Sequence, residues 1–242
     1  MQFSGSKWWK VDFHTHTPES TDYRDLSVSC REWLLKYMEK EIDCVVVTDH
    51  NSGKWIDSLK IELLKMREEQ VNGFREIVIF PGVEITVNGG IHLLAILDVN
   101  KGSDDITRLM GAVDYDGTPG NSDGITSKPL SEVIKIVNSQ GGISIPAHVN
   151  DVKGLFQGSQ GMDLERLLKS EYLLSLEVTI DDYDYPQVYK NSGLNLSEVL
   201  GSDSHSLDTI GIKYTWIKME TPTLQALVLA LHDGEDGVKK TQ

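Results

Sequence analysis

Val11-Asp12-Phe13-His14-Thr15-His16 sets two imidazoles two residues apart at the end of an apolar run. On a strand, the period of two puts Asp12, His14 and His16 on one face, with Val11, Phe13 and Thr15 turned toward a covering helix. Thr48-Asp49-His50-Asn51 follows the Val45-Val46-Val47 run directly. Asp49 there suits either a turn cap or a partner that orients an imidazole through its free N–H. In Gly82-Val83-Glu84-Ile85 a carboxylate lies inside an apolar strand. Burying it unpaired is costly, so Glu84 is expected to meet a cation or a buried salt bridge. His92 opens a fourth run and His148 closes a fifth in Pro146-Ala147-His148-Val149. Gly201-Ser202-Asp203-Ser204-His205 again sets a carboxylate and an imidazole two apart. His232, the seventh histidine, lies in a terminal helix beside Asp233-Gly234 and reads as surface or helix-end structure.

Any one of these histidines alone is more often a core side chain than a ligand. As a set they call for metal. Imidazole nitrogens and carboxylate oxygens are the ligands of Zn, Mn and Fe sites, with zinc bonds of about 2.0–2.2 Å. So many ligands exceed the needs of one ion and suit two or three, with a carboxylate bridging. A multi-metal site brings the pKa of bound water toward about 7 and stabilises charge on an attacked phosphoryl group and its leaving oxygen.

The elements that must position these groups alternate. Strands are predicted over 11–16, 44–48, 76–86, 91–98, 143–148, 173–180 and 200–205, and helices over 28–40, 55–71, 104–113, 131–140, 162–170 and 221–231. Ser131 is the expected N-cap of its helix, and Thr221-Pro222 the N-cap and first position of the last one. Asn88-Gly89-Gly90 marks a turn between the third and fourth strands. Residues 114–129, rich in Gly, Asp, Ser and Pro, form a long loop and a lid candidate. Alternation with buried, Val/Ile/Leu-rich strands predicts an α/β protein with a parallel sheet. In such folds ligands gather outside the carboxyl ends of the strands, which gathers the six histidines although they span His14 to His205. Seven or so repeats favour a closed barrel over an open sheet without deciding it.

Composition narrows the function classes. Twenty-three basic against 37 acidic residues give a formal charge of -14, the wrong sign for a protein that blankets nucleic-acid phosphates with Lys and Arg. It leaves room for a local nucleic-acid site built on metals, and part of the acidity is ligand charge that cations would neutralise. No run approaches the roughly 18–20 apolar residues of a membrane span, and the start, Met1 to Trp9, has no signal-peptide core. Cys30 and Cys44 sit in a helix and a buried strand, so two reduced thiols are expected, with the cytoplasm as location.

His14-Thr15-His16, Thr48-Asp49-His50, Gly82-Val83-Glu84, His92, Ala147-His148 and Gly201-Ser202-Asp203-Ser204-His205 resemble, in order, the motifs of the polymerase-and-histidinol-phosphatase (PHP) superfamily. The resemblance runs from residue 11 to about 206 and implies a single domain folded as a distorted (β/α)7 barrel, with up to three metals at the strand ends. It implies that His14, His16, Glu84 and Asp203 surround one ion. Glu84 bridges to a second, held also by His92 and His148, while Asp22, His50 and His205 hold a third. Glu84, Asp203 and His205 become the catalytic candidates, and Asp12 and Asp49 the residues behind the ligands. The implied reaction is phosphomonoester or phosphodiester hydrolysis by a metal-bridging hydroxide.

A narrower likeness covers Gly5 to Pro18, Ile145 to Val149 and Gly154-Leu155-Phe156, which look like the N-terminal domain of TrlF-type proteins. Those join a PHP domain to a downstream ATPase. Ser52-Gly53-Lys54-Trp55 lacks the glycine and hydroxyl of a phosphate-binding loop, so an ATPase partner is expected beyond this chain. Lys128 and Lys153, in the irregular loops near the fifth strand, are candidates to contact substrate phosphates. The leading expectation is hydrolysis of a nucleotide or nucleic-acid phosphodiester. Its rivals are a small-molecule phosphatase of the histidinol-phosphatase kind, an amidohydrolase barrel, and a regulatory module that binds metal for stability alone.

Overall fold

The computed structural model describes residues 5–179 and 183–241. Ile180, the end of one predicted strand, and the first four positions of the N-terminal stretch lie outside them.

Strand β1 (Lys7–Thr15) pairs in parallel with β2 (Cys44–Val47), and β2 in parallel with β3 (Val78–Thr86). The crossovers are α1 (Cys30–Glu39) and α2 (Trp55–Glu68). A capping box starts α1: the Ser29 hydroxyl accepts from the Glu32 N–H, and the Glu32 carboxylate accepts from the Ser29 N–H. The helix buries Trp33, Leu34, Tyr37 and Met38, the apolar side its periodicity predicts.

After β3 the sheet departs from the all-parallel expectation. β4 (His92–Ile96) runs antiparallel to β3, and β5 (Ile143–Pro146) antiparallel to β4. The physical reason is the short link at Asn88-Gly89-Gly90, where both glycines take positive φ (100 and 79). So few residues close a hairpin, whereas a parallel neighbour needs a crossover of about a dozen or more. Helices α3 (Ser103–Ala112) and α4 (Leu130–Ser139) fill the longer β4–β5 connection.

The remaining strands close the ring. Past α5 (Leu155–Gly158) and α6 (Gly161–Leu168), β6 (Ser175–Glu177) lies beside β5 through a parallel bridge between Ser144 and Leu173. Helix α7 (Gln187–Ser192) leads to β7 (Ser197–Val199), parallel to β6. The chain beyond β7 then returns to β1, where the Asp203 N–H donates to the His14 carbonyl (2.7 Å) and the His16 N–H to Ser204 (3.0 Å). Seven strands so curl into a distorted (β/α)7 barrel of mixed direction. β8 (Thr215–Met219) extends the sheet outside the ring, antiparallel to the first half of β1, and β9 (Val238–Lys240) runs antiparallel to β8.

Alternation along the strands sorts the core into two layers. Val45, Val47, Val83, Ile85, Leu93 and Ala95 pack outward beneath α1 to α4. Cys44, Val46, Phe80, Leu94, Ile96 and Ile145 pack inward with α8 (Leu224–His232). Both cysteines are free thiols, Cys44 buried and Cys30 partly so. None of the described helices is long and apolar enough to cross a membrane.

Several element limits differ from the sequence reading. Helix α4 is preceded by Pro129 rather than capped by Ser131. Thr223, accepting from the Ala226 N–H, caps α8 in place of Thr221. The 200–205 run is the loop that follows β7, and α5, α7, β8 and β9 were not anticipated.

Candidate metal centre

One mouth of the barrel collects the ionisable groups. His14 is the last residue but one of β1 with His16 just beyond the strand, His50 follows β2, Glu84 lies near the end of β3, and His148 follows β5. His92 opens β4 rather than closing it, and the reversed direction of β4 brings that first residue to the same mouth. Asp203 and His205 follow β7. With Asp22, all nine residues singled out as ligands meet here.

Eight of them fall into three groups, two of which share His16, whose potential ligand atoms lie within 4.8 Å of one another: His14, His16 and Asp203; Glu84, His92 and His148; and His16, His50 and His205. Glu84 stands between them. One carboxylate oxygen is 2.6 Å from His92 Nδ1, 3.2 Å from His148 Nε2 and 3.4 Å from His14 Nε2. The other is 2.8 Å from His50 Nδ1 and 3.6 Å from His16 Nε2. Asp203 Oδ1 is 3.2 Å from His16 Nε2 and 3.5 Å from His14 Nε2. Asp22 reaches His50 at 3.2 Å and His205 at 3.5 Å.

The donor set fits cations on a specific observation. His50 Nδ1 and Glu84 Oε2 are 2.8 Å apart yet misaligned for a hydrogen bond, and neither atom has any other hydrogen-bond partner. His14 and His16 present ring nitrogens to each other at 3.2 Å, and His92 and His148 at 3.3 Å. Ring nitrogens and carboxylate oxygens crowded together in a buried site, with atoms among them left unsatisfied, are costly unless a cation sits among them.

Charge follows this packing. Burial opposes ionisation of Glu84, but the His92 and His14 rings hold its carboxyl well below the usual range. Burial lowers His16 to about 3 despite its contact with Asp203, so that ring is neutral. Burial also works against charge on His50, yet Asp22 and Glu84 raise it to about 9.

The residues behind the ligands differ from the expectation. Neither Asp12 nor Asp49 touches an imidazole. Asp49 accepts from the Thr17 N–H (2.7 Å), the Thr17 hydroxyl (2.6 Å) and the Ser20 hydroxyl (2.7 Å), and it is Ser20 that meets His16 Nδ1 at 3.0 Å. Asp12 accepts from Tyr37 of α1 (3.0 Å) and from the backbone and hydroxyl of Ser202. The single face predicted for Asp12, His14 and His16 is broken because the β1–β2 register slips between Asp12 and Thr15. Val11 and Phe13 accordingly join the inner layer with α8. Burial raises the carboxyls of both Asp12 and Asp49 to about 6.

Glu177, at the end of β6, went unnoticed in the sequence. Its Oε2 meets His14 Nδ1 at 2.9 Å and accepts from the His148 N–H at 2.9 Å. The backbone of His148 is left-handed (φ 29), as is that of Asp203 (φ 48), and such strain persists only where surrounding bonds hold it. Glu177 supplies that bond for His148, and the His14 carbonyl supplies it for Asp203. Gly201 is required beside them: a Cβ there would lie 2.4 Å from His14 Cβ and 2.7 Å from Glu177 Oε1.

The two lysines separate. Lys128 is committed to Asp114 (3.0 Å) and Glu132 (2.8 Å), away from the cluster. Lys153 donates to the Ser122 carbonyl (3.2 Å), and its own carbonyl accepts from the His92 N–H (2.9 Å), which sets it at the rim. The 114–129 loop is fastened down, with Gly120 N–H on the His50 carbonyl (2.8 Å) and the Asn51 amide on Asn121 and Gly124 (both 3.1 Å). An open groove of about 390 Å³, lined by Asp22, Arg24, Asp203 and His205 among others, leads into the cluster. His232 is exposed at the end of α8 and belongs to none of the three groups.

Among solved structures the fold is similar to the lesion-specific endonuclease Q of Pyrococcus furiosus, with a TM-score of 0.73 and 16% identity over 97% of this chain and 58% of that one. A two-domain protein from Bacteroides vulgatus, described as containing a predicted PHP-like metal-dependent phosphoesterase, gives 0.58 and 16% over 100% of this chain and 66% of that one. The chain has the PHP fold. Another endonuclease Q structure, complexed with a 27-mer duplex substrate carrying an abasic lesion at the active site, overlays this PHP fold with a TM-score of 0.70 and 17% identity over 96% of this chain and 58% of that one. A family model described as PHP-associated matches residues 192–235, the stretch that carries Asp203 and His205. A comparison with curated proteins gives no match. The chain spans 58% of the length of the endonuclease Q structures.

Proposed function

We propose that this chain is a metal-dependent phosphoesterase acting on a phosphodiester in a nucleotide or nucleic acid. The observation that carries the reading is the convergence of six imidazoles and three carboxylates, Glu84 at their centre, with buried ring nitrogens and carboxylate oxygens among them left unsatisfied. His14, His16, Glu84 and Asp203 would hold one divalent ion. Glu84, His92 and His148 would hold a second, and Asp22, His50 and His205 a third. The ligand chemistry suits Mn, Zn or Fe. When bound, such ions make water a nucleophile near neutral pH and neutralise charge on the phosphoryl group and leaving oxygen.

The chain's own residues supply order. Glu177 holds His14 so that Nε2, not Nδ1, faces Glu84 and Asp203. Ser20, itself held by Asp49, does the same for His16. Fixing the far nitrogen sets tautomer and ring orientation. Asp22, Asp203 and His205 border the open groove and so are the cluster members best placed to meet a substrate. Nucleic acid as substrate is supported by the likeness to endonuclease Q, one of whose structures holds a DNA duplex. The motif likeness to TrlF-type proteins supports a place for this chain as the hydrolase part of a longer protein with an ATPase domain. Two free thiols accord with a cytoplasmic setting.

The test is cleavage of an end-labelled single-stranded oligonucleotide by Mn-reconstituted protein, with His14→Ala beside it. Cleavage by the wild type alone is the expected result. If nucleotides and oligonucleotides stay intact while small phosphomonoesters are hydrolysed, the substrate assignment is wrong.

A further inference from the structure

On the far side of β1 from the metal cluster, three strands present a face built of alternating aromatic and cationic side chains. Trp9, Val11, Ile217, Met219 and Val238 pack inward. The period of two therefore turns Trp8, Lys10, Trp216, Lys218 and Lys239 outward. The register sets them side by side, with Trp8 opposite Lys218, Lys10 opposite Trp216, and Trp216 opposite Lys239. Lys239 Nζ lies 4.3 Å from the Trp8 ring centre, and Lys10 Nζ lies 5.3 Å from Tyr214 and 5.6 Å from Trp216. Trp8 and Trp216 are half-buried and belong to neither core layer, while Lys218 and Lys239 are exposed. No carboxylate stands at an outward position where the three strands run side by side; Glu41 reaches Lys10 from the rim at 3.7 Å.

In a chain of net charge -14 this concentration of lysine is against the overall trend. Exposed cation–π pairs contribute only about 0.5–1 kcal/mol each, too little to explain two tryptophans kept out of the core. Indole faces interleaved with ammonium groups offer bases a stacking platform and phosphates a counter-charge. We propose that this face binds single-stranded nucleic acid. The inference rests on nucleic acid being the substrate of the metal site. Trp8 and His14 are six residues apart on one strand, about 20 Å, so the face would hold a flank of a long substrate whose reacting bond lies at the other end of β1.

The test is fluorescence anisotropy of a labelled single-stranded 20-mer in EDTA, where no hydrolysis occurs. Lys218→Gln/Lys239→Gln should weaken binding severalfold at low salt. It should also reduce the slope of log affinity against log salt by about 1.4, at about 0.7 per lysine for a single strand. Trp216→Ala should cost about tenfold, with Trp216→Phe recovering most of it. Unchanged melting temperatures guard against misfolding, and cleavage of a dinucleotide, too short to reach the face, should be the same in every variant. Wild-type protein that binds no oligonucleotide, or charge variants that bind with unchanged affinity and salt slope, would overturn the proposal. Binding that persists in a protein unable to cleave any phosphodiester would instead sink the hydrolase reading and leave this one standing.

Discussion

Replacing Glu177 with glutamine keeps the side chain's size and one carbonyl oxygen, and so isolates what its charge does. Both of its short contacts, His14 Nδ1 and the His148 N–H at 2.9 Å each, go to the same oxygen, Oε2. The other oxygen is buried without a hydrogen-bond partner. Glutamine can put its carbonyl in the Oε2 position and keep both bonds, now neutral. Hydrogen bonds to charged groups contribute about 1.5–3 kcal/mol and neutral ones about 0.5–1.5, so two bonds weaken by a total of about 2–3 kcal/mol. Part of that is felt as looser orientation of two metal ligands in different groups, which puts the loss of metal affinity near tenfold. Alanine removes both bonds and leaves two buried N–H donors without acceptors, so about 100-fold and a lower melting temperature are expected. Competition against a chromophoric chelator measures the affinity, and thermal unfolding in EDTA measures the apo-protein. A Glu177→Gln protein that binds Mn and Zn with wild-type affinity and stoichiometry would refute the role assigned to Glu177.

Gly201→Ala should destabilise the protein by several kcal/mol or prevent folding, because its Cβ would lie 2.5 Å from the His14 nitrogen; a wild-type denaturation midpoint would contradict this. Metal binding requires neutral imidazoles, whereas His50 in the metal-free protein is protonated up to about pH 9: burial opposes its charge, but Asp22 and Glu84 outweigh burial. Affinity should therefore weaken as pH falls below about 9, with proton release visible by calorimetry in buffers of different ionisation enthalpy; pH-independent uptake without release would be the contrary result. His232→Ala, at the exposed end of α8, should leave metal content and hydrolysis unchanged, and a large loss would place the seventh histidine in the site after all.

The candidate site was legible in the sequence because the residues that converge there carry short-range signals. Histidines at strand ends, and a carboxylate in an apolar run, are visible without knowing what lies opposite. Glu177 carries the same signal as Glu84, a carboxylate in Leu173-Leu174-Ser175-Leu176-Glu177-Val178, but its partner His14 is 163 residues away and no histidine stands near it in the chain. The direction of Asp12 depended on a slip of register between strands, which no periodicity encodes. The antiparallel β3–β4 hairpin was present in Asn88-Gly89-Gly90, but βα alternation in the surrounding sequence masked it. Strand β8 alternates Thr-Trp-Ile-Lys-Met as a strand should, and its signal was lost because Trp and Lys on its outward face resemble a loop.

The central claim is that these nine residues form a multi-metal centre. Anomalous diffraction from crystals of Mn-loaded protein, collected at the metal edge, tests it most directly. The account predicts two or three peaks inside the barrel mouth, with Glu84 contacting at least two of them. No peak there, or one ion held at a surface site away from Glu84, would contradict it.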